Sequence, residues 1–214
     1  MAYAMNWDLL INAVVTLAVT IDPIGLAPLF LAVTTGMDRT QRRDVGTRAI
    51  IIGGTVLVIF ALLGTAILAL FGVTLAAFRV AGGLLLFWIA FEMIFERRQA
   101  RKQTTADRAI TQDDVRSVAV FPLGIPLIAG PGAISAVILL SGQMATIAER
   151  ASLIAIVLAL LATTWVIFIA AERIDGLLGE TGRSVLTRLL GVILSALAVQ
   201  FVADGVIALA AGAA

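Results

Sequence analysis

The chain has 214 residues, of which 61% are hydrophobic and only 14% charged, with a formal net charge of +1. Soluble domains average about 25% charged and 45–50% apolar residues, so the bilayer is the expected solvent. Cysteine and histidine are both absent, which excludes disulfides, Cys/His zinc sites, thiolate nucleophiles and imidazole acid–base chemistry. No basic stripe or stacking-aromatic cluster stands out, so nucleic acid is not an expected partner. With so few catalytic groups left, no enzyme activity, metal or cofactor is expected.

In chain order, residues 1–8 carry no Lys or Arg, so the first apolar stretch lacks the basic region of a cleavable signal and reads as a retained span. Apolar stretches of about 20 residues, enough to cross hydrocarbon, fall near 7–34, 49–70, 75–95, 117–141, 152–171 and 189–211. They predict an all-α, polytopic membrane protein of six transmembrane helices. The first and fourth stretches are long and contain Pro and Gly, whereas the others read as unbroken helices. One extended polar segment, ERRQARKQTTADRAITQDDVR at 96–116, nearly halves the chain. It reads as a solvated loop, so the whole is one membrane domain with a first half near 1–96, a linker near 97–116 and a second half near 117–214.

The basic residues orient the spans, because cytoplasmic loops carry the excess of Lys and Arg. Arg39, Arg42, Arg43 and Arg48 follow span one; Arg97, Arg98, Arg101, Lys102, Arg108 and Arg116 follow span three; Arg173, Arg183 and Arg188 follow span five. Only Arg79 and Arg150 fall on the opposite face. The expectation is a bacterial inner (cell) membrane protein with both termini outside the cytoplasm.

An offset of 108 residues superposes the unusual features of the two halves. Pro23 lands on Pro131; Thr55, Val58, Ile59 and Phe60 land on Thr163, Val166, Ile167 and Phe168; Gly83, Leu86 and Ala90 land on Gly191, Leu194 and Ala198. Glu92 meets Gln200, and Glu96 meets Asp204. Three spans per half is an odd number, so the second half enters from the opposite face. Inverted repeats with interrupted helices in matching places are the sequence pointer to a transporter whose site lies at the repeat interface.

Span one contains Thr20-Ile21-Asp22-Pro23-Ile24-Gly25-Leu26-Ala27-Pro28. Pro23 cannot donate an amide hydrogen bond and clashes with the preceding turn, while Asp then Pro suits an N-cap and a first helical position. Two half-helices meeting near Asp22 are predicted. Span four repeats the device, with Gly130 as N-cap and Pro131 at the first helical position. Irregular backbone at membrane depth is tolerated only inside protein or beside a watery cavity, and helix starts favour anions. The structural alternative is that these residues only kink helices and let backbones approach.

The stretches DPIGLAPLF at 22–30 and PLGIPLIAGPGAI at 122–134, with FRVAGGLLLF at 78–87 and AVQFVADG at 198–205, resemble the signature segments of the MarC family, also called the NAAT family. The resemblance covers essentially the whole chain. It implies a six-span LysE-like membrane fold and transport of small neutral amino acids. Gly124 stands where the family more usually has alanine, and Glu92 is not carried over as a signature residue.

A carboxylate at mid-bilayer costs about 2.5 to 3.5 kcal/mol on insertion scales, so Asp22 is read as functional beyond capping. It suits a substrate ammonium, Na⁺ held with backbone carbonyls, or a coupling proton. Substrate-binding candidates are Asp22, Pro23, Ile24, Gly25 and Pro28 in the first motif and Gly130, Pro131, Gly132, Ala133 and Ser135 in the second. Coupling candidates are Asp22, Glu92, Gln200 and Asp204, although Glu92, late in span three, also suits snorkelling toward the arginine-rich linker. Asn12 and Ser135 are placed within reach of the cavity, but intramembrane Asn and Ser more often serve helix association.

The leading expectation is alternating-access transport of a small zwitterion, with helix starts at Ile24, Gly25, Gly132 and Ala133 receiving its carboxylate and Asp22 its amine. H⁺ or Na⁺ would be the coupling ion. The alternatives are a phosphate-bearing lipid translocase and a structural or regulatory membrane protein that moves nothing. An intramembrane protease is disfavoured, since Asp22 and Asp204 are predicted at different depths.

Overall fold

The computed structural model describes residues 7–98 and 118–212, without the side chains of 172–178 and 180. The linker arginines Arg101, Arg108 and Arg116, Lys102 and the side chain of Arg173 lie outside the described residues. All described elements are helical: α1 (Trp7–Ile21), α2 (Pro23–Val33), α3 (Arg39–Leu70), α4 (Leu75–Ile94), a wide-turned segment Ala119–Ile128, α5 (Pro131–Ser141), α6 (Ile147–Ile169) and α7 (Ala171–Ala210).

Five helical stretches are long and apolar enough to cross a membrane: Trp7–Val33, Arg39–Leu70, Leu75–Ile94, Ile147–Ile169 and Thr181–Ala210. The pair Ala119–Ile128 and Pro131–Ser141, bent by 52°, makes a sixth if counted as one broken span. The all-α membrane architecture expected from the apolar pattern is therefore present.

Helix ends overrun the apolar stretches, because caps rather than hydrocarbon set them. The Asp38 carboxylate accepts from the amides of Thr40 and Gln41, and the Gln41 side chain accepts from the Asp38 amide at 3.0 Å. This capping box starts α3 at Arg39 rather than near 49, so Arg39, Arg42, Arg43 and Arg48 ride on helix instead of loop. Thr146 and Glu149 form the same box at the start of α6. The stretch predicted as a loop between spans five and six is helical too, broken only at Gly179, whose φ of 57° with ψ of −177° only glycine adopts easily.

The first half of span four is not the regular half-helix expected. Pro122 and Pro126 stand four residues apart, so neither supplies the amide that an α-helix needs at its position. Phe121 and Ile125 are extended, with φ near −130° and ψ of 125°, and both following peptide bonds are cis. The chain closes this irregular stretch with a wide turn in which the Ala129 amide donates to the Gly124 carbonyl at 3.0 Å.

The broken first span lies inside the bundle: 61% of its apolar window is buried, against 22–39% for the other four long helices, and the second broken span is largely buried as well. Its core side chains, Leu17, Ile21, Leu26, Leu29 and Phe30, are fully enclosed. Around it, α1 packs on α5 and α6, and α2 packs on α6 and α7. Helices α4 and α7 form the closest pair and run antiparallel. A Cβ on Gly83 would stand 2.9 Å from the Ala198 carbonyl oxygen, one on Gly191 3.1 Å from that of Ala90, and one on Gly205 2.9 Å from that of Ala76. Small residues let the two backbones touch, which is how helices associate where lipid removes the hydrophobic drive.

Candidate functional site

The break between α1 and α2 is made by one residue. Asp22 has φ 57° and ψ 63°, a left-handed conformation that Asp tolerates better than most residues. Its carboxylate turns back to accept from the Gly25 amide at 3.1 Å, and Pro23 opens α2. A Cβ at Gly25 would lie 2.2 Å from Asp22 Oδ2, so any side chain there would have to displace the capping carboxylate. Asp22 is only 4% exposed. The capping arrangement expected from Asp-Pro is present, with the Gly25 amide already engaged by Asp22.

In an unbroken helix the carbonyls of Val19 and Thr20 would accept from residues 23 and 24. Residue 23 is proline, and the turn at Asp22 swings residue 24 away. Arg98 fills both places: Nη1 donates to the Val19 carbonyl at 3.3 Å and Nη2 to the Thr20 carbonyl at 2.6 Å. Nη1 also lies 2.9 Å from Met93 Sδ. The sequence assigned Arg98 to a solvated linker; instead it is 6% exposed in the interior. The route inward is a turn after α4, where Glu96 takes φ 61°. The Glu96 carboxylate accepts from the Ser184 hydroxyl and pairs with Arg188 at 3.0 Å. These contacts hold it below the usual carboxylate range, the Ser184 hydrogen bond contributing most and Arg188 next, against a smaller opposing effect of desolvation.

Among the described residues, the buried charged side chains are Asp22, Glu92 and Arg98. Glu92 precedes Met93 on α4 and is 6% exposed, so it is enclosed and does not snorkel. A polar stripe leads along α1 to the break: the Thr16 hydroxyl donates to Asn12 Oδ1 at 2.8 Å, and the Thr20 hydroxyl to the Thr16 carbonyl at 2.8 Å. Thr16 and Thr20 are buried, and their spacing of four places them on one helix face with Asn12. That spacing is legible in the sequence.

The second break has Gly130 as N-cap and Pro131 at the first position of α5, as expected. Gly132 is pressed against α4, where a Cβ would lie 2.3 Å from Ile89 Cδ1. Ala133 and Ser135 are buried, whereas Pro131 is exposed. In the first motif Ile24 and Pro28 are half-buried. Gln200 and Asp204 pair with each other, Gln200 Nε2 donating to Asp204 Oδ1 at 2.7 Å, with Gln200 on the exposed side of α7. No group of three or more acidic side chains is placed to hold a metal among the described residues.

A cavity of about 380 Å³ lies away from the break, at the arginine-rich end of the bundle. Its walls include Phe30, Arg39, Arg42, Arg43, Trp165 and Phe168. At the break itself Asp22, Pro23 and Gly25 are buried.

An all-helical bundle with an interrupted, charge-bearing span inside it defines a polytopic membrane protein whose polar groups are built into its core. The profile described as MarC family integral membrane protein matches residues 7–210, and the chain belongs to that family. Similar proteins include a UPF0056 membrane protein of Methanocaldococcus jannaschii, 35% identical over 195 residues, covering 91% of this chain and 85% of the relative. The UPF0056 membrane protein YvbG of Bacillus subtilis is 31% identical over 201 residues, covering 94% and 95%. A UPF0056 membrane protein of Archaeoglobus fulgidus is 36% identical over 192 residues, covering 89% and 88%. No solved structure matches the chain.

Proposed function

We propose that this protein is a secondary transporter of small solutes, foremost small neutral amino acids, working by alternating access around Asp22. The observation that carries the reading is the break in a largely enclosed span of the bundle, where a buried carboxylate and a buried guanidinium meet loosened helix ends. Charges at such depth are costly and mark solute or ion paths. In this reading Asp22 receives the substrate ammonium, and the helix starts near Ile24, Gly132 and Ala133 receive the carboxylate. The stripe Asn12–Thr16–Thr20 is the polar approach, and the burial of Asp22 corresponds to an occluded state of the cycle. H⁺ or Na⁺ at Asp22 is the coupling ion. The setting is the bacterial inner membrane with both termini outside the cytoplasm, and a rocking movement of one inverted half against the other supplies access.

The tight packing at Asp22 favours, as second reading, a structural protein that moves nothing. Uptake separates the two. Reconstituted protein should accumulate labelled alanine, glycine or serine under a proton or sodium gradient, and Asp22→Asn should abolish this while the protein stays folded. Absence of uptake for all three solutes under both gradients would overturn the transport reading.

A further inference from the structure

The cavity at the arginine-rich end takes no part in the reading above. It is bounded by the end of α2, the first turns of α3 and the end of α6. Arg39, Arg42 and Arg43 line it, and none of the described lining residues is acidic. Phe30 and Phe168 close its floor, their rings stacked at 4.2 Å and within 1° of parallel. Trp165 makes a side wall. Its Nε1 donates to the Thr47 hydroxyl at 3.0 Å, which fixes the ring, and the Arg43 guanidinium carbon stands 5.6 Å from the ring centroid. Ile169 both lines the cavity and is 55% exposed, and Val166 beside it on α6 is 56% exposed. The cavity is thus continuous with the apolar outer face of α6.

We propose that this cavity binds the phosphate headgroup of an anionic phospholipid, with the acyl chains lying along Val166 and Ile169. The chemistry selects an amphiphile. Guanidinium forks match phosphate oxygens in geometry and charge, while an apolar floor and an apolar exit gain nothing from a fully hydrated free anion. Basic pockets between helices at the membrane boundary recognise anionic headgroups in this way, and Trp suits the same boundary. The lipid would clamp α2, α3 and α6 together at one end of the bundle. It is a resident of the rim and not the solute carried at Asp22, so the site stands whether or not the chain transports.

Native mass spectrometry of the delipidated full-length protein in neutral detergent tests this, with dioleoyl phosphatidylglycerol, dioleoyl phosphatidylcholine and inorganic phosphate as separate probes. The expected result is retention of phosphatidylglycerol over phosphatidylcholine, with that preference falling about fivefold for each arginine removed in R43Q and R39Q/R42Q/R43Q. R48Q, which removes an exposed arginine of the same helix outside the cavity, should leave it unchanged. If the triple variant aggregates, R43Q and Trp165→Leu carry the test, both expected to weaken retention in folded protein. Equal retention of the two lipids, an undiminished preference in R43Q, or displacement of phosphatidylglycerol by inorganic phosphate at comparable concentration would each overturn the proposal.

Discussion

Arg98 Nη2 donates to the carbonyl oxygen of Thr20 at 2.6 Å, across 78 residues of sequence. With the bond to Val19, it replaces the amides that the Asp22-Pro23 break takes from the end of α1. A helix end in the interior needs such partners, since each buried carbonyl left without one costs about 1–3 kcal/mol. The charged fork thus makes an interrupted span stable inside the bundle.

Removing that fork should loosen the break. Arg98→Ala is expected to lower stability by about 2–6 kcal/mol, from two orphaned carbonyls. Arg98→Lys should recover only part of this, because an ammonium lacks the planar fork. Thermal unfolding in detergent measures both, and an Arg98→Ala variant as stable as wild type would show that the two bonds are not needed.

Asp22 has two separable duties, a cap and a charge. Asparagine caps as well as aspartate and tolerates the left-handed conformation, so Asp22→Asn should stay within about 1 kcal/mol of wild type while losing uptake. Asp22→Ala should lose about 1–3 kcal/mol through the missing cap and the backbone strain. Full uptake by the Asn variant would confine Asp22 to capping.

The α4–α7 contact can be tested at both of its related ends. Gly83 lies against Ala198 and Gly191 against Ala90, and each residue of the first pair is 108 positions from one of the second. Gly83→Ala and Gly191→Ala should therefore each destabilise by about 1–3 kcal/mol, the range for overpacking a tight contact. Unfolding temperatures matching wild type for either would refute so close an approach of the backbones.

Glu96 should give stability an acid limb. Its carboxylate is held below the usual range, mainly by the Ser184 hydrogen bond and then by Arg188. The folded state thus releases the proton more readily than the unfolded chain. The stabilisation is complete above the ordinary carboxylate range and disappears as pH falls through the lowered folded value. Unfolding temperature against pH should show this loss in wild type and a flatter profile in Glu96→Gln; identical profiles would remove Glu96 from the acid response.

What the sequence determined alone was whatever depends on near neighbours. Apolar length specified the membrane class, and Asp22-Pro23 and Gly130-Pro131 specified two helix starts. Caps and lost amide donors are settled within a few residues, so they can be read without a fold. Tertiary structure alone decided that Arg98 leaves the charged linker for the core, that Glu92 is enclosed, and that Arg39, Arg42 and Arg43 line a cavity with Trp165. Those outcomes depend on where distant segments meet. A run of arginines reads as solvated until the carbonyls and rings that receive them are brought alongside by packing.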